Sequence, residues 1–91
     1  MLKVLCVDDE KLTLQFLVSL CRDIPEIDEV HGLERAKDAL SWIRDNPCDL
    51  VFLDIEMPEM DGIEVCRQIR KLAPDTLTVF ISGKDELVFQ T

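Results

Sequence analysis

The chain of 91 residues has no long hydrophobic run, few basic residues and no recognisable leader. No stretch approaches the roughly 20 apolar residues that span a bilayer, which argues against a membrane span. Ten lysines and arginines against nineteen acids give a net charge of −9. This balance argues against direct nucleic-acid binding, because phosphate backbones require basic patches. The start Met1-Leu2-Lys3 lacks a signal-peptide pattern, so we expect a cytoplasmic protein.

Closely spaced metal-binding or disulfide-forming residues are also missing. The four cysteines, Cys6, Cys21, Cys48 and Cys66, form no Cys-x-x-Cys motif, which argues against zinc or disulfide chemistry. Three of them fall within apolar patterns, which predicts small core residues of a reduced protein. The single histidine, His31, lies in a predicted strand away from the acidic strand ends, so it is not a candidate ligand or phosphodonor.

Apolar runs and helical periodicities alternate along the chain and predict a single domain over residues 1–91. The predicted strands are 2–7, 28–33, 49–54 and 77–82, and the predicted helices are 11–23, 34–46 and 62–73. The inward face predicted for the third helix is Ile63, Cys66, Ile69 and Ala73. This alternation predicts a parallel sheet with helices on both faces.

Carboxylates follow two of the predicted strands, Asp8-Asp9 after the first and Asp54 at the end of the third. Ligands of open parallel sheets bind at the carboxyl ends of the strands, where these side chains would converge if the strands are neighbours. Carboxylates held together need protons or a cation, and an all-oxygen ligand set favours Mg²⁺. We interpret Asp9 and Asp54 as Mg²⁺ ligands and Asp54 as a nucleophile that forms an acyl phosphate.

An alternative is that Asp8-Asp9-Glu10 caps the first helix, where the helix dipole favours acids. The second strand-terminal aspartate argues against this alternative, since Asp54 is followed by a Met-Pro-x-Met-Asp-Gly segment that ends at Gly62. Capping of the first helix does not explain that second acid.

Three segments together carry a family resemblance: Val7–Glu10, Leu53–Gly62 and Val79–Gly83. In their residues, order and spacing the chain resembles the response regulator receiver domain of bacterial two-component signalling. The resemblance implies a flavodoxin-like (CheY-like) α/β fold of three layers, with a parallel sheet of order 2-1-3-4. It also implies a signalling module rather than a metabolic enzyme.

Individual roles follow from the same resemblance. Asp54 corresponds to the phosphoacceptor and Asp9 to a direct Mg²⁺ ligand, whereas Asp8 would act through metal-bound water. Glu56 would contribute its backbone carbonyl to the metal, and Ser82 would hydrogen-bond the phosphoryl group and move on activation. The implied phosphoryl donor is a sensor histidine kinase or a phosphotransfer protein.

The chain departs from the family at its C-terminal end. Receiver domains continue through a fourth helix, a fifth strand with a phosphoryl-binding lysine, and a fifth helix. Because the sequence ends at Thr91, we expect an incomplete receiver without a fifth strand, a fifth helix or an output domain. Lys84 does not match the family's lysine. The segment Ser82–Glu86 is reminiscent of regulators with a LytTR-type DNA-binding output.

Two surfaces would be left uncovered by this early end. The fourth strand would have an unpaired edge, and the first helix would expose an apolar stripe formed by Leu12, Phe16 and Leu20. We therefore expect a homodimer or a swapped assembly. The tail Leu87–Phe89 could begin a helix or add as an exchanged strand, and its composition favours a strand.

Two other functions remain as alternatives. One is a truncated, switch-dead dimer that binds metal without signalling. The other is a phosphohydrolase of the haloacid dehalogenase type, which needs Asp-x-Asp at the nucleophile, usually on the first strand. Here Glu56 stands in place of the second aspartate, and the site lies on the third strand.

Overall fold

The computed structural model describes residues 2–57, 61–81 and 87–90, the last of these as backbone only. The strands are β1 Leu2–Val7, β2 Ile27–Leu33, β3 Leu50–Asp54, β4 Leu77–Ile81 and β5 Leu87–Gln90. The helices are α1 Lys11–Arg22, α2 Ala36–Asp45 and α3 Gly62–Leu72. The sheet order is β2-β1-β3-β4-β5, and the first four strands are parallel. The predicted flavodoxin-like order 2-1-3-4 is therefore confirmed.

The outer edge of β4 differs from the prediction. β5 pairs antiparallel with β4, from Thr78 opposite Gln90 to Ile81 opposite Leu87. The prediction of an unpaired β4 edge is therefore wrong. Because β5 is antiparallel, it is not the parallel fifth strand that the fold prediction leaves out. The Leu-Val-Phe tail favours extended backbone, which supplies the partners that the edge of β4 would otherwise lack. The predicted strand conformation of the tail is confirmed, but it pairs within its own chain.

Two apolar clusters cover the two faces of the sheet. The larger packs α2 and α3 against strand residues that are inaccessible to solvent, namely Leu5, Val7, Val51 and Leu53. The smaller packs α1 against the opposite face, with Val4, Cys6, Leu14 and Cys21 as its buried members. Successive side chains of a strand point to opposite faces, so β1 contributes alternately to each cluster. The predicted layers of helices on both faces are confirmed.

The inward face of α3 is rotated from the predicted one. Val65, Cys66 and Ile69 are buried, whereas Ile63 is 47% exposed. The face that meets the sheet is set by Gly62, whose backbone lies against the backbone of Ile55. Residues three and four positions after Gly62 then point inward, and its immediate neighbour points away. The prediction that Ile63 faces the core is wrong.

Two threonines near β4 differ in whether their buried hydroxyls are satisfied. Thr76 donates to the carbonyl oxygen of Cys48 at 2.6 Å, whereas Thr78 Oγ1 has no hydrogen-bond partner among the described residues. Both side chains are buried. An unsatisfied buried hydroxyl costs free energy, and a methyl group of the same shape does not.

We expect Thr78→Val to raise the free energy of unfolding by about 1 kcal/mol, or ~4–8 °C in Tm for a domain of this size. Thr76→Val is the matched control, and it should lower stability by about 1 kcal/mol because it removes a made hydrogen bond. Urea and thermal denaturation of both variants measure the difference. A loss of stability in Thr78→Val would contradict an unsatisfied hydroxyl.

Candidate metal and phosphoacceptor site

Three carboxylates meet at the carboxyl ends of two adjacent strands. Val7 of β1 is in parallel register with Leu53 of β3, so the aspartates that follow them leave the sheet side by side. Asp8, Asp9 and Asp54 each offer a carboxylate oxygen, and these oxygens all lie within 4.8 Å of one another. Asp8 is buried, Asp54 is half-buried and Asp9 is exposed. The three carboxylates therefore lie together, as the positions of the strand ends predicted.

Asp8 and Asp54 each form a local turn of the same type, in which the carboxylate accepts from the backbone N–H two residues later. The backbone N–H of Glu10 donates to Asp8 Oδ1 at 2.9 Å, and that of Glu56 donates to Asp54 Oδ1 at 3.1 Å. Each turn fixes one carboxylate oxygen and leaves the second available to a ligand. These two backbone donors were not predicted, although an aspartate just beyond a strand is a signal for such a turn.

The first acidic segment contributes no capping side chain to α1. α1 has Glu10 as its N-cap, and no side chain makes a capping hydrogen bond there. Asp8 accepts from the residue that precedes the helix rather than from the helix itself. By contrast, Asp61 does cap α3, because its Oδ1 accepts from the backbone N–H of Ile63 at 2.9 Å.

Gly62 fixes the end of β3 from the other side. A Cβ atom at this position would lie 2.8 Å from the Cα of Ile55 and 3.0 Å from the carbonyl oxygen of Asp54. Both neighbours are backbone atoms, which cannot rotate away as a flexible side chain can. Gly62 therefore permits a close approach between α3 and the residues at the site.

The acids of the cluster destabilise one another's charged forms. Burial raises the pKa of Asp54 to about 6, and the charge of Asp8 adds to the increase against the opposing hydrogen bond from Glu56. Burial is also the main cause that raises the pKa of Asp8. A divalent cation would relieve this repulsion, and carboxylate oxygens are the donors that Mg²⁺ prefers. The residues present therefore fit a Mg²⁺ ion.

Comparison with known proteins places the chain in a family. Residues 4–90 match the model of the response regulator receiver domain. The chain belongs to the response regulator receiver domain family. This receiver is 41% identical over 80 residues to an uncharacterized response regulatory protein of Vibrio cholerae, covering 87% of this chain and 31% of that protein. It is 33% identical to the sensory transduction protein LytT of Bacillus anthracis, covering 99% of this chain and 37% of LytT.

Solved structures agree with the fold of the receiver. A two-component transcriptional regulator from Clostridium phytofermentans superposes with a TM-score of 0.80 at 34% identity, covering 91% of this chain and 68% of that one. The receiver domain of the histidine kinase CKI1 from Arabidopsis thaliana, complexed with Mg²⁺, gives 0.83 at 28% identity, covering 93% of this chain and 70% of that one. The CKI1 receiver has also been solved with Mg²⁺ and BeF₃⁻.

The structure describes some of the other residues singled out from the sequence and not others. Glu56 is exposed beyond β3 and supplies its backbone N–H to Asp54. Ser82 and Lys84 lie outside the described residues. His31 stacks on Trp42 with ring centroids 4.9 Å apart, which links β2 to α2. None of the described helices is both long and apolar enough to cross a membrane.

The raised pKa of Asp54 predicts how stability depends on pH. As pH rises from about 4 to 6, the unfolded chain ionises this carboxyl before the folded domain does, so folding stability falls. Without Mg²⁺ at pH 7, Asp54→Asn should therefore be more stable than the native chain by about 1 kcal/mol, discounted for partial exposure.

Asp45→Asn is the matched control, because its side chain is 69% exposed and it makes only a surface ion pair. We expect its stability to follow the pH dependence of the native chain across the window, whereas Asp54→Asn should be flatter. Chemical denaturation at pH 4, 5, 6 and 7, without metal, measures this. Parallel profiles for all three proteins would show that Asp54 titrates alike in both states.

Proposed function

We propose that this receiver takes a phosphoryl group onto Asp54, with Mg²⁺, from a phosphohistidine of a sensor histidine kinase or phosphotransfer protein in the cytoplasm. The observation that carries the proposal is the convergence of Asp8, Asp9 and Asp54 at the ends of adjacent strands. The donors implied by the family present the phosphoryl group on a histidine. The domain acts in this proposal as a signalling module that catalyses its own phosphorylation.

The metal would be held by the acid cluster. Asp9 and Asp54 would contribute carboxylate oxygens directly, Asp8 would act through a bound water, and Glu56 would offer its backbone carbonyl. When bound, Mg²⁺ supplies positive charge that offsets the repulsion among the acids and the charge of the incoming phosphoryl group. The Mg²⁺ complex of the CKI1 receiver supports this assignment.

Phosphoryl transfer then depends on the placement of the Asp54 carboxylate. A carboxylate oxygen of Asp54 forms a bond to phosphorus, the bond from phosphorus to the donor nitrogen breaks, and the donor histidine is released. With a pKa of about 6 the carboxyl is mostly ionised at neutral pH, which is the nucleophilic form. The Glu56 N–H holds one oxygen and so limits rotation of the carboxyl group. Ser82 is the proposed hydrogen-bond donor to the phosphoryl group.

The two alternative functions differ in what they require. The family assignment favours a receiver over a haloacid dehalogenase-type phosphohydrolase, and the exposed Glu56 occupies the position where that class has its second aspartate. A switch-dead dimer requires that the acid cluster bind metal without accepting a phosphoryl group. Phosphorylation itself therefore separates it from the proposed function.

We also propose that two copies associate through the exposed stripe of α1. Leu12, Phe16 and Leu20 are 74%, 66% and 48% exposed, so the stripe predicted from the sequence has no cover among the described residues. No charged side chain occurs between Lys11 and Arg22, whereas 32% of the whole chain is charged. With a net charge of −9, two copies can meet at this uncharged face with the least repulsion.

Incubation with Mg²⁺ and an acyl phosphate donor should add one phosphoryl group to the native chain, seen by intact mass. Asp54→Asn should gain none, because the nucleophilic oxygen is replaced by an amide. Asp8→Asn should weaken Mg²⁺ affinity about 10- to 100-fold, as loss of an outer-sphere partner does. A folded chain that binds Mg²⁺ yet gains no phosphoryl group would support the switch-dead alternative instead.

Sedimentation velocity at micromolar to millimolar concentrations tests the association. Phe16→Gln should weaken it at least tenfold, because an aromatic at the centre of an interface contributes most of its binding energy. Leu72→Gln is the matched control, since Leu72 is 46% exposed on α3, outside the stripe. A native chain that stays monomeric throughout, or equal effects of both substitutions, would argue against an α1 interface.

A further inference from the structure

Cys6 and Cys21 lie together although their spacing in the sequence gives no sign of it. Cys6 is in β1 and Cys21 is in the last turn of α1, and both side chains are buried. Their sulfur atoms are 4.0 Å apart. We propose that these two thiols form a disulfide when the domain is exposed to a low-molecular-weight disulfide such as oxidised glutathione. The spacing of the four cysteines in the sequence argues against disulfides, because it does not show that these two meet.

The geometry favours this pairing over any other. A disulfide has its sulfur atoms about 2.05 Å apart, so formation of the bond requires each sulfur to move by ~1 Å. Cys48 and Cys66 belong to the larger apolar cluster on the other face of the sheet. The sheet separates these two cysteines from Cys6 and Cys21. Cys6 and Cys21 can therefore pair only with each other in the folded domain.

The reaction is a pair of thiol–disulfide exchanges. The thiolate of Cys21 attacks one sulfur of oxidised glutathione, its S–S bond breaks, and one glutathione leaves as the thiolate. The thiolate of Cys6 then attacks the Cys21 sulfur of the mixed disulfide and releases the second glutathione. Two protein thiols are oxidised, one glutathione disulfide is reduced to two thiols, and the two protons pass to the leaving thiolates or solvent.

Access to the pair requires the end of α1 to open. Cys21 is followed by exposed residues, Arg22 to Ile24, and the last turn of a helix is where fraying begins. Burial protects both sulfurs while the turn is closed, and it raises the pKa of both thiols, so the reactive thiolates form when the turn opens. The rate of oxidation should therefore follow the opening of α1. Once formed, the disulfide ties α1 to β1 and closes a loop that contains Asp8 and Asp9.

The test uses the native chain. After incubation with excess oxidised glutathione, remaining thiols are alkylated under denaturing conditions and the protein is mapped by mass spectrometry without reduction. We expect an intact mass lower by two hydrogen atoms before alkylation, a cross-linked peptide containing Cys6 and Cys21, and alkylated Cys48 and Cys66. The oxidised domain should melt about 10 °C higher than the reduced one.

Cysteine variants separate this pair from general oxidation. Cys21→Ala should lose both the cross-link and the rise in Tm, whereas Cys48→Ala should keep both. Should Cys21→Ala fail to fold, the map of the native chain decides. Pairing that involves Cys48 or Cys66, or full alkylation of all four thiols under conditions that oxidise the urea-unfolded chain, would overturn the proposal. The outcome does not depend on whether Asp54 is phosphorylated.

Discussion

The parallel pairing of β1 with β3 is the constraint on which the site depends. It places Val7 beside Leu53, so that Asp8 and Asp54 leave the sheet as neighbours. Their carboxylates, together with that of Asp9, repel one another, and burial adds to the cost of their charges. The surrounding core must hold the site together against its own electrostatics. Stability and function are therefore opposed at this edge of the sheet.

The core that opposes this repulsion is unequal on the two faces. Among the described residues, thirteen buried ones form the cluster that packs α2 and α3 on the sheet, and four form the cluster that packs α1. Apolar burial contributes about 25 cal/mol per Å², so each further buried side chain in the larger cluster adds to the stabilisation. It contains the strand residues just before Asp8 and Asp54, and also Met57 from the loop beyond β3. The acids are thus anchored mainly from one side.

Much of the fold and the site could be predicted because both depend on where strands end. Apolar runs that stop at Asp8 and Asp54 mark two strand ends, and an alternating series of strands and helices leaves few topologies. The outward position of Ile63 could not be predicted, since the rotation of α3 depends on the contact between Gly62 and Ile55. Sequence periodicity shows that a helix has an apolar face, but it does not show which residues of that face contact the sheet.

Contacts between distant segments were beyond the same reasoning. The pairing of β5 with β4 and the meeting of Cys6 with Cys21 both depend on which elements become neighbours in space. The missing partner of Thr78 is likewise a property of packing, because a threonine in a strand is ordinary by composition. These features arise only when the layers are assembled, so residue patterns within one element carry no trace of them.

A cation at the acid cluster would also connect separate elements of the fold. α1 begins just after Asp9, and its buried side chains belong to the smaller cluster, whereas Val7 before Asp8 belongs to the larger one. An ion shared by Asp9 and Asp54 would join the junction of β1 with α1 to β3, which the larger cluster holds. A ligand that binds only the folded state stabilises it by mass action. A bound cation would therefore turn the mutual repulsion of the acids into a tie between two strands.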